Sequence, residues 1–376
     1  MIKLTTAGES HGKMLVGILE GLPSNMPIDI EEIDGYLALR QSGYGRGGRQ
    51  KIERDRVEIL SGVRDRLTMG SPVAFCVKNA DYANWQDIMA PEGADVTKRR
   101  LTRVRPGHAD LTGILKYDQT DARNILERAS ARETAVRVVG GSIARQYLEM
   151  FGVSVSGYVK SVCGVRDDNN YPFEKLNEAK NHPLFMLDGE KEQEAMALVD
   201  KLKTEGDTAG GTVEIRVKGL KSGFGSCMRY ADKLDAILCG AIMSVQAIKG
   251  VEVGMGFACA DYKGSQVHDE IYLKDGKYTR TSNNAGGIEG GMSNGEEIVL
   301  RAVMKPIPTL MRGLNTVDTA TGKPAVADSE RSDVLAICAC EVVLESVVAL
   351  ALADVVSARL GGDNVKEVKA RYALLP

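Results

Sequence analysis

Residues 333–360 carry apolar side chains on almost every helical face, from Val334 and Leu335 through Val355 and Val356. A helix without a polar stripe cannot lie on a surface and has to be enclosed. The fold must therefore cover one long helix on several sides, and Gly361 and Gly362 then end it. The longest apolar run, residues 342–356, is interrupted by Glu345 and Asp354 and falls short of a membrane span. At 376 residues the chain is long enough to bury a substantial core.

A second long helix is expected over residues 129–151. Ala135, Val136, Val139, Ile143, Tyr147 and Phe151 share one face, and Glu133 and Arg137 form an i,i+4 pair. Strands are expected at residues 57–60, 73–77, 211–217 and 297–304, the third alternating through Val213, Ile215 and Val217. These elements mingle without strict strand–helix alternation. No Gly-x-Gly-x-x-Gly joins a strand to a helix, which removes the dinucleotide-fold reading. The expectation is an α+β protein forming one domain over residues 1–376, with the polar segment 167–181 as a surface insertion.

The seven cysteines show no Cys-x-x-Cys, and Cys338 and Cys340 are too close in sequence for an ordinary disulfide or zinc loop. Free thiols in a reducing cytoplasm and no metal are the expectation. The net charge of −3 hides an asymmetry, because residues 40–145 hold 20 Lys+Arg against 13 Asp+Glu. A basic stretch in an otherwise acidic chain suggests a focused anion site. Arg-Gly loops also bind RNA, but only Tyr44 interleaves with these arginines and the pI is about 6.0. That pattern is wrong for a polyanion track, so nucleic acid is not expected as a partner.

Two of the four histidines sit in glycine-flanked turns, in Gly8-Glu9-Ser10-His11-Gly12 and Arg105-Pro106-Gly107-His108-Ala109-Asp110. Glycine lets backbone approach a ligand, and an uncrowded imidazole suits acid–base work. Arginines recur beside such turns: Arg40 and Arg46 flank Gln41–Gly45, Arg49 follows Gly47-Gly48, and Arg105 accompanies His108. A planar guanidinium on a Gly-rich loop can grip carboxylate or phosphate bidentately. In Glu127-Arg128-Ala129-Ser130-Ala131-Arg132-Glu133-Thr134, Ser130 reads as an N-cap with Glu133 at capping-box spacing. A helix start of that kind favours an anion. Arg331-Ser332-Asp333 opens the last long helix in the same way. The glycine-rich residues 283–295 and Lys305-Pro306-Ile307-Pro308-Thr309 are weaker candidates for holding an anionic cofactor, since both also make ordinary turns.

With these residues in view, the chain resembles the chorismate synthase family over almost its whole length. Three long patterns carry the resemblance. They are Gly8–Gly12 continuing to Glu20-Gly21-Leu22-Pro23, Glu127–Thr134 with Val138 to Ile143, and Arg331-Ser332-Asp333 running to Glu345-Ser346-Val347. The segments 105–110, 286–291 and 305–309 also look like the family's, in its order. The resemblance implies an anti-1,4 elimination of phosphate from 5-enolpyruvylshikimate 3-phosphate, giving chorismate, with reduced FMN required although no net redox occurs. It further implies a homotetramer whose subunit is a β-α-β sandwich of antiparallel sheets around a helical layer.

By the same resemblance His11 protonates the leaving phosphate and His108 sits near the flavin. Asp333 receives the C6 proton, directly or by way of flavin N5. Ser10, Arg46, Arg49, Arg105, Ser130, Arg132, Arg137 and Arg331 are implied around the substrate. The implied cofactor contacts are Arg40, Arg46, Arg128, Ala129, Ser130, Gln246, Ala247, Gly290, Lys305, Pro306, Ile307, Pro308, Thr309 and Arg331. Gln246 stands where many members have Asn, so its carboxamide reaches a methylene further. No second reductase domain is visible, which makes an external flavin reductant the default, with NADP among the family's associations. The competing reading is a flavin-dependent oxidoreductase on another anionic metabolite.

Overall fold

The computed structural model describes residues 1–47, 54–328 and 333–376. Strands β1 (Lys3–Ala7) and β2 (Met14–Glu20) precede helix α1 (Ile30–Gln41), and strands β3 (Val57–Ile59) and β4 (Val73–Lys78) follow it. Three helices come next: α2 (Asp110–Tyr117), α3 (Arg123–Ala129) and α4 (Thr134–Glu149). Strands β5 (Ser154–Val162) and β6 (Val165–Arg166), helix α5 (Gly189–Glu205) and strand β7 (Gly211–Lys218) form the middle of the chain. Helix α6 (Leu234–Met243), strands β8 (Ile248–Val253) and β9 (Ile298–Met304), and helix α7 (Ile337–Leu360) complete the main elements.

Two antiparallel sheets result, in the orders β1-β2-β4-β3 and β8-β9-β7-β5-β6. Helix α4 packs on the first sheet and α7 on the second, and the two helices pack on each other with α1 beside both. This is the β-α-β sandwich expected, and it explains how an all-round apolar helix is satisfied. The largest core cluster extends from Ile2 to Tyr372 and includes Leu15, Phe75, Val139, Ile215 and Val348.

The crossing of α4 and α7 is close. A Cβ on Gly141 would stand 2.4 Å from the Ser346 Cβ and 2.5 Å from its Cα, so only glycine lets the helices meet there. Both helices also bury charge. Lys180 lies between Glu341 and Glu345 of α7, and Arg145 of α4 pairs with Glu345, all four in the interior. Burial pushes the Glu341 carboxyl well above its usual range, whereas Lys180 and Arg145 hold Glu345 below it against the same burial. Opposed charges at matched depth are how these side chains enter an apolar layer.

Several expectations are corrected. The helix expected over 129–151 is two helices joined by a 3₁₀ turn at Ala131–Glu133, because Ser130 is extended at φ −61°, ψ 139°. Ser130 Oγ accepts from the Arg132 N–H, but Glu133 does not close a capping box; its carboxylate faces Thr6, Arg137 and Gln246 instead. Helix α4 is buried around nearly its whole circumference rather than on one face. The long helix expected from 333 begins at Ile337, and a further short helix (Val365–Ala373) follows it. Residues 167–181 are no loose insertion, since Phe173, Leu176 and Ala179 of a 3₁₀ helix (Phe173–Asn181) pack into the core beside β5. Among the described residues no helix is long and apolar enough to cross a membrane.

Candidate active site

The loop between β1 and β2 carries the first histidine. Gly8 has φ +106°, and a Cβ there would lie 2.5 Å from the Met14 carbonyl oxygen, so the hairpin closes only on glycine. The loop is tied down by Asn79 at the end of β4, whose Nδ2 donates to the Glu9 and Gly12 carbonyls. It is tied a second time by α3. The Ser10 N–H donates to the Glu127 carbonyl at 2.9 Å, and the His11 N–H donates to Glu127 Oε2 at 2.7 Å. The other carboxylate oxygen, Oε1, lies 2.8 Å from His11 Nδ1. Burial alone would raise the Glu127 carboxyl, but the bonds from His11 and the charges of His11 and Arg123 hold it below the ordinary range.

The His11 ring stacks on Trp85 with centroids 3.9 Å apart and planes 24° apart. Arg99 lies over the same indole at 4.0 Å, and the indole N–H donates to Asp81. Ser130 Oγ donates to Ser10 Oγ at 3.1 Å, which brings Ser130 beside the loop that carries Ser10 and His11.

Two buried arginines meet at Asp55. Arg132 donates to Asn79, Lys78 and Asp55, and Arg40 donates to Thr134, the Ala131 carbonyl and the same Asp55 oxygen. Arg40 is thus on the last turn of α1, inside the protein, and not on an open glycine-rich loop as the sequence suggested. Arg128 reaches back to Thr6 and Gly8, and Arg137 spans Glu133 and Ser244. Ala129 ends α3, half-buried beside them.

The second histidine belongs to a turn docked on the end of β9. Arg105 Nε and Nη2 donate to the two oxygens of Asp110, at 2.8 and 3.0 Å, and Nη1 donates to Thr309 Oγ1 at 3.2 Å. His108 Nδ1 lies 2.5 Å from Asp110 Oδ1. Burial would raise the Asp110 carboxyl; the bonds from His108 and Arg105 and their charges outweigh it and hold it far below the usual range. Lys305 Nζ donates to the Gly107 carbonyl, and Pro308 lies beside Gly107. The Ile307 carbonyl accepts from Thr208, and Pro306 backs onto Gly210, which fixes the whole of residues 305–309 against the start of β7.

These two centres are joined by Gln246 and Ala247. The Gln246 side chain donates to Glu133, and the Ala247 carbonyl, on a residue with φ +69°, accepts from the Lys305 N–H. Gln246 Oε1 is buried with no donor among the described residues. A third centre pairs Asp333 with Arg46 at 3.3 Å, and Asp333 also accepts from the Gly47 N–H at 2.6 Å. Gly290 stands apart, at the turn of a hairpin (Ile288–Glu289 with Met292–Ser293) bridged to Gly225 rather than to residues 305–309. Arg49 and Arg331 lie outside the described residues.

Sequence reasoning missed three supports: Trp85, Asp55 and Asn79. Trp85 is the sole tryptophan in the chain, and that singularity was the one available signal. Glu127 stood inside a quoted motif, but nothing in the order of residues said that it would meet His11.

Two imidazoles, each backed by a carboxylate at Nδ1 and set among arginines, define a site for acid–base chemistry on an anionic ligand. The chorismate synthase family model matches residues 2–357. The chorismate synthase of Geobacter sulfurreducens is 51% identical, covering 99% of this chain and 98% of the relative. That of Alkaliphilus metalliredigens is 52% identical with the same coverage. A solved chorismate synthase structure superposes with a TM-score of 0.80 at 38% identity, covering 99% of this chain and 96% of its own. The chain belongs to the chorismate synthase family, whose members are carbon–oxygen lyases of the shikimate pathway.

Proposed function

We propose that this protein converts 5-enolpyruvylshikimate 3-phosphate to chorismate and phosphate by anti-1,4 elimination, with reduced FMN as an unconsumed cofactor. The observation that carries this reading is the pair of carboxylate-backed histidines with Arg105, Arg128 and Arg137 around them, which suits a ligand with two carboxylates and a phosphate. His11 gives a proton to the departing phosphate, so that the C–O bond breaks toward a better leaving group. Asp333, held by the Gly47 N–H and Arg46, takes the C6 proton. Arg49, Arg105, Arg132, Arg137 and Arg331 orient the anionic groups, with Ser10 and Ser130 beside them.

The residues present fit a flavin. Gln246 offers a buried acceptor that lacks a donor, matching a ring N–H, and Lys305 and Thr309 offer cationic and hydroxyl contacts for a phosphate. Arg40, Arg46, Arg128, Ala129, Ser130, Gln246, Ala247, Gly290, Lys305–Thr309 and Arg331 would hold it. Reduced FMN supplies electron-rich chemistry that assists C–O cleavage without net redox. His108, between Arg105 and Asp110, would keep the adjoining ring in one protonation state. We read residues 1–376 as one domain, acting in the cytoplasm as a homotetramer with an external flavin reductant. An anaerobic assay with photoreduced FMN, following chorismate absorbance and phosphate, tests the proposal. Consumption of reductant in step with product would instead favour the oxidoreductase reading.

A further inference from the structure

The contacts of the Glu127 carboxylate are unusually demanding of its chemistry. Its two oxygens accept from the same residue, one from the His11 N–H at 2.7 Å and one at His11 Nδ1 at 2.8 Å. A carboxylate held ionised can only accept, so the ring nitrogen facing it must carry the hydrogen. Arg123 Nη1 approaches the same Oε1 at 3.4 Å, and its Nε donates to the Arg99 carbonyl, linking the carboxylate to the residue that covers Trp85. Glu127 itself is 2% exposed, so water does not compete for these contacts. In solution the Nδ1–H and Nε2–H forms of imidazole interconvert freely, and which one a protein holds is decided by the partner of the other nitrogen.

We infer that Glu127 is a positioning residue for the proposed elimination: it keeps a hydrogen on His11 Nδ1 in both charge states of the ring, so that the proton given to the ligand leaves from Nε2 of the imidazolium and the neutral Nδ1–H form remains, while Trp85 fixes the plane of the ring. This inference rests on the proposed role of His11 as the acid. The backbone N–H of His11 is immovable and always a donor, which makes an isosteric change informative. In Glu127→Gln the single amide oxygen satisfies that N–H, and the amide NH₂ is turned toward Nδ1. Nδ1 then has to accept, so the proton moves to Nε2. A purely structural carboxylate would not control the tautomer.

The test uses full-length protein labelled with ¹⁵N in histidine, with His11→Asn to assign the His11 signals among the four histidines. The wild-type signals should show hydrogen on Nδ1. In E127Q they should show an unprotonated Nδ1, with kcat reduced about 10²–10⁴-fold and KM changed little. Emission from Trp85, the one tryptophan, reports whether the ring stack survives the substitution. An Nδ1 without hydrogen in the wild type at neutral pH overturns the inference, whatever the variant does. So does an E127Q protein with unaltered Trp85 emission that keeps the wild-type tautomer or wild-type kcat. Because the spectra need no substrate, failure of the enzyme to eliminate phosphate would count against the proposed reaction and leave the tautomer result standing on its own.

Discussion

The two histidine centres use the same pairing and build it in opposite ways. His108 meets Asp110 within one turn, and Arg105 of that turn completes the triplet before docking on Thr309. His11 meets a carboxylate from α3, and its ring rests on Trp85 from a different segment. The first centre is a local construction that tertiary structure only seats. The second exists only once β1, β2, α3 and the segment at Trp85 have come together. The difference predicts which centre fails locally and which fails with the fold.

The largest expected effect lies in turnover. His11→Ala, His108→Ala and Asp333→Asn should each lower kcat about 10²–10⁴-fold in the anaerobic assay, with smaller changes in KM. Near-normal rates for both histidine variants would leave the glycine-flanked turns as structure alone.

Stability separates the centres next. Asp110→Ala strands Arg105, which is 7% exposed, as a buried unpaired charge. Loss of about 3–5 kcal/mol in denaturant unfolding is expected. Thr309→Val removes one neutral acceptor from the same guanidinium and should cost only about 1 kcal/mol. Equal losses for the two would mean that the turn is held by the strand and not by itself.

Acid should weaken both centres together. The Asp110 and Glu127 carboxyls are held below their unfolded values, so each contributes stability at neutral pH that disappears as pH falls through the folded values. Unfolding free energy should therefore drop below about pH 4, and the drop should be shallower in Glu127→Gln. A wild-type profile that is flat down to pH 2 would contradict the pairing at both sites.

The smallest effects concern the glycines. Gly107 has φ +78° and room for a Cβ, the nearest atom being Pro308 Cβ at 3.5 Å, so Gly107→Ala should cost about 1 kcal/mol. Gly8→Ala should cost more, because its Cβ meets the Met14 carbonyl at 2.5 Å. Thermal melts of the two variants give the order directly.

Much of this was legible in the chain, for identifiable reasons. The apolar faces of α7 announced enclosure, and the alternation at Val213, Ile215 and Val217 announced β7. The histidine turns stood out because glycines are written beside them. What escaped reading depends on distant partners: Trp85 under His11, Asp55 shared by Arg40 and Arg132, and the burial of Arg105. Helix α5 and the hairpins at Ile271–Arg280 and Asn315–Val326 also went unread; their surfaces are mostly polar or exposed, so no strong periodicity marks them. The break at Ser130 was hidden by its own chemistry, since a residue that caps a turn looks the same in sequence as one that caps a helix.

The Gly141–Ser346 crossing has a consequence for distance as well as packing. Helix α4 leads back toward Ser130 and Glu133, and α7 leads back toward Asp333, so the two helices form the arms of one caliper. At about 1.5 Å per residue, each arm is roughly 10–14 Å long. A methyl wedged at the pivot, where there is no space for a Cβ, would swing both tips. Gly141 thus acts as the gauge block for the gap between the Ser130 end of α4 and the Asp333 end of α7, although it lies far from both.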